Sequence, residues 1–151
     1  MKDLWPEDIY VRESQLRAPV TILKEQASLL GKKTRNLVVG RVGRMAETEA
    51  LHLGDTVGYR DSSFGYYFRL AAPALDGYQY TLFFIVHGID LYPVRFRLDE
   101  SIAQEIFHNP SYAPTAESEA EFTMLLSKIF AASKTRSVIQ AMLAQMEVQP
   151  A

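Results

Sequence analysis

The sequence predicts an α+β protein, an antiparallel β-meander packed by an N-terminal helix and two or three C-terminal helices. Three runs of strand-forming residues follow one another over residues 64–98 and are joined by two short loops of turn residues. Helical periodicity lies before and after this region. Strands that cluster in sequence, and do not alternate with helices, favour α+β over a doubly wound α/β fold. The length of 151 residues fits a single domain over residues 1–151.

The N-terminal helix is predicted to run from Ala18 to Lys33. Pro19 suits the first turn, where its missing N–H has no helical partner. Gly31 and the two lysines that follow it mark the C-terminal end, where the helix dipole favours cations. The spacing of four and three residues between apolar side chains gives one buried stripe. This stripe is formed by Leu16, Val20, Leu23, Ala27 and Leu30.

The region after this helix predicts a first strand over Asn36–Met45, because it is rich in β-branched residues. Its two glycines weaken the strand or mark a bulge. The stretch Ala50–Tyr59 carries turn signals at Gly54 and Gly58 and predicts a short strand around His52.

The strands of the meander are predicted at Phe64–Ala72, Tyr78–His87 and Leu91–Leu98. Side chains in a strand alternate between the two faces of the sheet, so the sequence sorts into two sets. The expected core face carries Tyr66, Phe68, Leu70, Tyr78, Tyr80, Leu82, Phe84, Val86, Tyr92, Val94, Phe96 and Leu98. The opposite, mixed face carries Tyr67, Arg69, Gln79, Thr81, Phe83, Ile85, His87, Pro93, Arg95 and Arg97.

Capping residues indicate where the C-terminal helices begin. A short helix is predicted to start at Asp99 or Ser101, and a longer one is capped by Thr115 or Ser118. Residues 133–135 predict a break before a last helix that reaches the C-terminus.

Composition excludes several classes of protein. The chain has no cysteine, which excludes disulfides, thiolate metal sites and a cysteine nucleophile, and which fits a cytoplasmic protein. The net charge of −2 argues against binding nucleic acid across the whole surface. No secretory signal is evident, and the longest apolar run, residues 81–89, is far shorter than the roughly 20 residues of a membrane-spanning helix.

The motifs of common enzyme classes are absent from the sequence. The three histidines, His52, His87 and His108, fall on separate predicted elements, so no metal site is predicted. Ser62 and Ser63 lie in a polar loop without the G-x-S-x-G turn of a serine nucleophile. We therefore predict no catalytic residue, no cofactor and no metal, and the sequence leaves open whether the protein is an enzyme.

The mixed face of the meander is a possible interaction face. Its candidate residues are Tyr67, Arg69, Phe83, Arg95 and Arg97. Arginine beside aromatic rings is typical of protein–protein interfaces and also of nucleic-acid binding. A third interpretation is that helices cover both faces, that Phe83 and Ile85 belong to the core, and that the arginines point into water.

A second candidate is a basic stretch between residues 31 and 46 that contains no acidic residue. Its cations are Lys32, Lys33, Arg35, Arg41 and Arg44. They form either a solvated helix end and strand or an anion patch that meets phosphates or an acidic partner.

The apolar surface of the helices and the sheet exceeds what one sheet face can cover, which favours self-association. The sequence thus predicts a small non-enzymatic binding or regulatory protein, acting as a homodimer or through a protein partner. The alternative is a phosphate- or nucleic-acid-directed binder or enzyme that uses the arginines of the sheet and the basic stretch. A further possibility is a ligand pocket lined by Tyr66, Tyr80 and Tyr92.

Overall fold

The fold was analysed on a computed structural model, which describes residues 1–10, 17–59 and 62–148. Within these ranges the chain forms five helices and a five-stranded antiparallel sheet, which confirms the predicted α+β class. The elements in order are α1 (Pro19–Lys33), β1 (Val39–Arg44), α2 (Glu47–Val57), β2 (Phe64–Ala72), β3 (Tyr78–His87), β4 (Val94–Leu98), α3 (Glu100–Phe107), β5 (Thr115–Ala116), α4 (Glu119–Ala131) and α5 (Ser133–Val148).

The order of strands in the sheet follows the order in the sequence, from β1 at one edge to β5 at the other. The predicted meander is its centre, β2 to β4, and every neighbouring pair is antiparallel. Thr115 lies in β5 and does not cap a helix. The cap of α4 is Ser118, whose hydroxyl accepts a hydrogen bond from the backbone N–H of Glu121.

A β-bulge interrupts the pairing of β2 with β3. Phe68 lies opposite Phe83, whereas the next residue, Arg69, lies opposite Thr81, so Leu82 has no partner on β2. An extra residue in one strand inverts the alternation of faces beyond it. Leu82 and Phe83 are therefore both buried in the same core.

The predicted division of the two sheet faces is wrong for the second half of β3. Phe83 and Ile85 belong to the core and are 1% and 0% exposed, and His87 is buried as well. Phe84 and Val86, predicted for the core face, project from the opposite face. The bulge is the reason, because a prediction from strict alternation assumes that no strand residue is left unpaired.

Helices α1, α3, α4 and α5 cover one face of the sheet and enclose the main core. Its centre is a group of aromatic rings in contact, formed by Phe68, Phe83, Phe96, Phe122 and Phe130. Burying each large apolar side chain stabilises the fold by roughly 1.5–3 kcal/mol. These rings join the sheet to α4.

Helix α2 lies on the opposite face, where the sequence predicted a short strand around His52. That prediction is wrong. Ala50 and Leu53 form a small second core with Val86 of the sheet. Gly58, with φ of 76°, is the left-handed residue that ends the helix, so the turn signal marks a helix C-terminus.

Helix α1 packs closely against the edge strand β1 at Gly40. A Cβ atom on Gly40 would lie 2.6 Å from the Cβ of Ala27 and 3.1 Å from the ring of Phe68. Only a residue without a side chain lets the helix approach the strand this closely. The position of α1 over the sheet therefore depends on this glycine.

We expect Gly40→Ala to lower the free energy of unfolding by about 1–3 kcal/mol, because the added methyl group forces helix and strand apart. Urea denaturation measures this change. The double variant Gly40→Ala/Ala27→Gly removes only the clash with the Cβ of Ala27. The added methyl group would still lie 2.7 Å from the Cα of residue 27, so we expect most of the destabilisation to remain. A Gly40→Ala protein as stable as the parent would contradict the described packing of α1.

Candidate interaction site on the open sheet face

The sheet face opposite the main core carries a cluster of arginines and aromatic rings. The register aligns Tyr67 with Phe84, and Phe84 with Arg97, in one row across β2, β3 and β4. The next row places Arg41 opposite Arg69. We call these five residues, Arg41, Tyr67, Arg69, Phe84 and Arg97, the arginine face.

Helix α2 leaves the arginine face uncovered because it packs over the neighbouring end of the sheet. Ala50 of α2 lies against Gly65, where an added Cβ would come within 2.8 Å of its methyl group. Phe84 lies at the border of this contact and is half-buried. Arg41 and Arg97 lie beyond it and are exposed.

Two contacts hold Arg69 in place. Its guanidinium carbon lies 3.8 Å from the centroid of the Tyr67 ring, which is a cation–π contact, and its Nε donates a hydrogen bond of 3.1 Å to the hydroxyl of Thr81. The Tyr67 ring in turn lies over Gly43, where a Cβ would meet it at 2.1 Å. One guanidinium of the arginine face is thus fixed before any partner arrives.

The electrostatics of the sheet are one-sided. The five described strands contain five arginines and neither aspartate nor glutamate. Arg41, Arg69 and Arg97 form no ion pair with any residue that the structure describes. Guanidinium groups favour planar carboxylate or phosphate partners, so the arginine face is suited to an anionic ligand.

Arg95 lies on the same side of the sheet but serves the fold. One of its terminal nitrogens donates a 2.7 Å hydrogen bond to the carbonyl of Val57, at the C-terminal end of α2. Tyr59 adds a second link, since its hydroxyl donates to the carbonyl of Pro93 at 2.8 Å. Arg95 therefore anchors α2 to β4, whereas Arg97 is exposed and can meet a ligand.

Of the predicted interaction face, Tyr67, Arg69, Arg95 and Arg97 lie on one side of the sheet, whereas Phe83 lies in the core. The residue that takes its place on the arginine face is Phe84. Sequence reasoning missed Phe84 because no local signal in β3 marks the bulge. Arg41 was identified only as part of the basic stretch, and the pairing of β1 with β2 brings it beside Arg69.

The predicted anion patch does not form one surface. Arg41 and Arg44 are three residues apart on β1, so they project from opposite sheet faces. Arg44 stacks over the ring of Phe64 at 4.9 Å. Lys32 borders the groove between α1 and β1, while Lys33 lies at the mouth of a second groove between α1 and α5. Arg35 lies exposed in the turn after α1.

The three tyrosines of the suggested ligand pocket do not line one cavity. Tyr80 borders a cavity of about 390 Å³ beside α5, and Tyr66 borders the groove between α1 and β1. Residues distant in sequence accept hydrogen bonds from two of the hydroxyls. Tyr80 donates to the carboxylate of Asp99, and Tyr92 donates to the carbonyl of Arg17 at 3.2 Å.

Burial raises the pKa of two of these tyrosines, Tyr80 and Tyr92. Desolvation raises the pKa of Tyr80, and the hydrogen bond to Asp99 acts in the same direction. Desolvation, with the charge of Glu119 adding to it, raises the pKa of Tyr92 to about 12. Both phenols are neutral near pH 7 and act as hydrogen-bond donors within the fold.

The described ranges contain neither a group of residues suited to a metal ion nor a helix suited to a membrane. They contain no group of three histidines, aspartates or glutamates close enough to hold a metal ion. No helix in them is both long and apolar enough to cross a membrane.

A comparison of the chain with protein-family models, with curated proteins and with solved structures found no match. The arginine face therefore has to be interpreted from its own geometry.

The different roles of Arg95 and Arg97 give a matched pair of substitutions. We expect Arg95→Gln to lower the free energy of unfolding by about 1.5–3 kcal/mol, because it removes the charged hydrogen bond to α2. Arg97→Gln, at an exposed site, should change it by less than about 0.5 kcal/mol. Urea denaturation measures the free energy of unfolding of both variants. An Arg95→Gln protein as stable as Arg97→Gln would show that Arg95 has no anchoring role.

The raised pKa of Tyr92 predicts a dependence of stability on pH. The unfolded chain releases the phenol proton near pH 10, whereas the folded chain holds it to about pH 12. The contribution of Tyr92 is full below pH 10 and is lost as pH rises towards 12. Unfolding measured at pH 8.5, 10 and 11 should show a smaller decline for Tyr92→Phe, with Tyr112→Phe at an exposed site as the control. An unchanged decline in Tyr92→Phe would refute this assignment.

Proposed function

We propose that this is a non-enzymatic binding protein whose arginine face recognises an acidic, aromatic-bearing segment of a protein partner. The observation that carries the proposal is the set of three guanidinium groups without ion pairs among the described residues, next to Tyr67 and Phe84 on an uncovered part of the sheet. Arginine, tyrosine and phenylalanine are enriched at protein interfaces.

The chemistry of the face supports a polypeptide partner over a nucleic acid. Binding of single-stranded nucleic acid uses free aromatic faces on which bases stack. Here the ring of Tyr67 is covered by Arg69 on one side and lies over Gly43, and Phe84 packs partly against the residues under α2. Carboxylates need no free ring, and each can accept two hydrogen bonds from one guanidinium.

A cytoplasmic location stays a prediction from the sequence.

Fluorescence anisotropy with a labelled decapeptide that alternates glutamate with serine around one tryptophan tests this function. We expect Arg41→Gln/Arg97→Gln to weaken binding by about three- to tenfold, because two exposed charge pairs are lost. Binding should also weaken with added salt, which screens exposed charges. The control Arg35→Gln/Arg136→Gln makes the same change in net charge at exposed sites away from the arginine face.

A labelled oligothymidylate of ten nucleotides is the competing probe. Tighter binding of the oligonucleotide than of the peptide, with loss in Arg41→Gln/Arg97→Gln, would assign the face to nucleic acid. Failure of both probes to bind the parent and also Asp3→Asn/Glu7→Gln/Asp8→Asn, whose residues 1–10 carry no carboxylate side chain, would overturn the proposed function, as would equal binding by all variants of the arginine face.

A further inference from the structure

The segment of residues 1–10 exposes large apolar side chains that belong to neither core of the described fold. Leu4, Trp5, Ile9 and Tyr10 are exposed by 86%, 74%, 65% and 78%. A contiguous group of exposed aromatic and aliphatic side chains is typical of a binding segment.

The segment also has local order and a charge opposite to that of the arginine face. The backbone N–H of Trp5 donates to a side-chain oxygen of Asp3 at 3.0 Å, and that of Ile9 donates to the carbonyl of Pro6 at 3.3 Å. Its carboxylates, Asp3, Glu7 and Asp8, outnumber its single basic side chain, Lys2.

We propose that residues 1–10 of a second copy of this chain occupy the arginine face. The carboxylates of the segment pair with Arg41 and Arg97, which lack ion-pair partners among the described residues. The indole of Trp5, the ring type that binds cations best, stacks on a guanidinium. This inference rests on the proposed function and names its partner.

The side of the sheet on which α1 begins favours a second copy as the source of the segment. The carbonyl of Arg17 accepts a hydrogen bond from Tyr92, which packs against Phe122 in the main core. The chain thus enters α1 on the helix-packed side of the sheet, whereas the arginine face lies on the other side. Each copy offers one segment and one face, so a reciprocal exchange is self-complementary and closes as a dimer.

An apolar groove on the helix-packed side of the sheet matches the charge of the segment less well. The groove between α1 and α5 has a volume of about 280 Å³ and is lined by Leu29, Phe130 and Ile139 among others. Among the described residues of that lining, Lys33 is the one that carries a charge. The groove fits apolar side chains but leaves most of the carboxylates without partners.

Sedimentation velocity over a range of concentrations tests the exchange with the full chain. We expect a dimer that dissociates with added salt. Asp3→Asn/Glu7→Gln/Asp8→Asn, Trp5→Ala and Arg41→Gln/Arg97→Gln should each weaken it by about tenfold or more. The segment variants should fold normally, because the segment contributes to neither core. The control Asp90→Asn/Glu100→Gln/Glu117→Gln changes the net charge equally at exposed sites and should dimerise like the parent.

A charge exchange gives the sharper test. Asp3→Lys/Glu7→Lys/Asp8→Lys has a basic segment and a basic face, and Arg41→Glu/Arg97→Glu has an acidic segment and an acidic face. Each should be monomeric alone, and an equimolar mixture should form a heterodimer, because every segment then meets a face of opposite charge. Absence of the heterodimer would overturn the inference.

The oligomeric state and the binding of the decapeptide together distinguish a wrong assignment of the partner from a wrong assignment of function. A parent protein that stays monomeric while its arginine face binds the glutamate decapeptide would refute the exchange and leave the proposed function standing. If the monomer binds that decapeptide more tightly in Asp3→Asn/Glu7→Gln/Asp8→Asn, the segment covers its own face and the second copy is excluded. A dimer unaffected by both sets of variants assembles through another surface and also refutes the exchange.

Discussion

The placement of side chains on both sides of the sheet depends on one unpaired residue in β3. Leu82 has no partner on β2, and beyond it the alternation of β3 is inverted. The inversion puts Phe83 and Ile85 into the main core, where Phe83 contacts three other rings. It also moves Phe84 to the opposite face, beside Tyr67. The bulge thus completes the core and the aromatic part of the arginine face at once.

The arginines of the sheet divide into those that serve the fold and those that face outward. Arg95 donates to the end of α2 and serves the fold, whereas Arg69 stacks on Tyr67 and is held in place on the arginine face. Arg41 and Arg97 are exposed. Like charges on neighbouring strands repel one another, so a sheet without carboxylates gains from an external anion.

The distribution of charge explains how a chain with a net charge of −2 presents a cationic face. The carboxylates of the described residues lie in the helices, the connecting loops and the segment of residues 1–10, while the described strands have none. Binding through such a face depends on local potential and not on net charge. The acidic segment and the basic face are complementary parts of the same chain.

Helix α2 shows where local pattern failed. Gly54 lies in the middle of the helix, where glycine is unfavourable, and the sequence therefore indicated a turn. In the structure a Cβ at Gly54 would lie 2.0 Å from the hydroxyl oxygen of Ser62, so the glycine admits the loop that follows the helix. This contact joins residues of two elements and has no signature in either one.

Local patterns in the sequence were enough to predict the α+β class, the three strands of the meander, helix α1 and two separate C-terminal helices. The break between these helices lies at Ala132 and not at residues 133–135, and β4 begins at Val94 and not at Leu91. These features depend on periodicity, caps and turn residues, which act over a few neighbouring positions. The tertiary structure decided the bulge at Leu82, the replacement of Phe83 by Phe84 on the open face, the meeting of Arg41 with Arg69, and the anchoring role of Arg95. Each of these depends on which strand or helix lies alongside, and residues far apart in sequence become neighbours only when the sheet has formed.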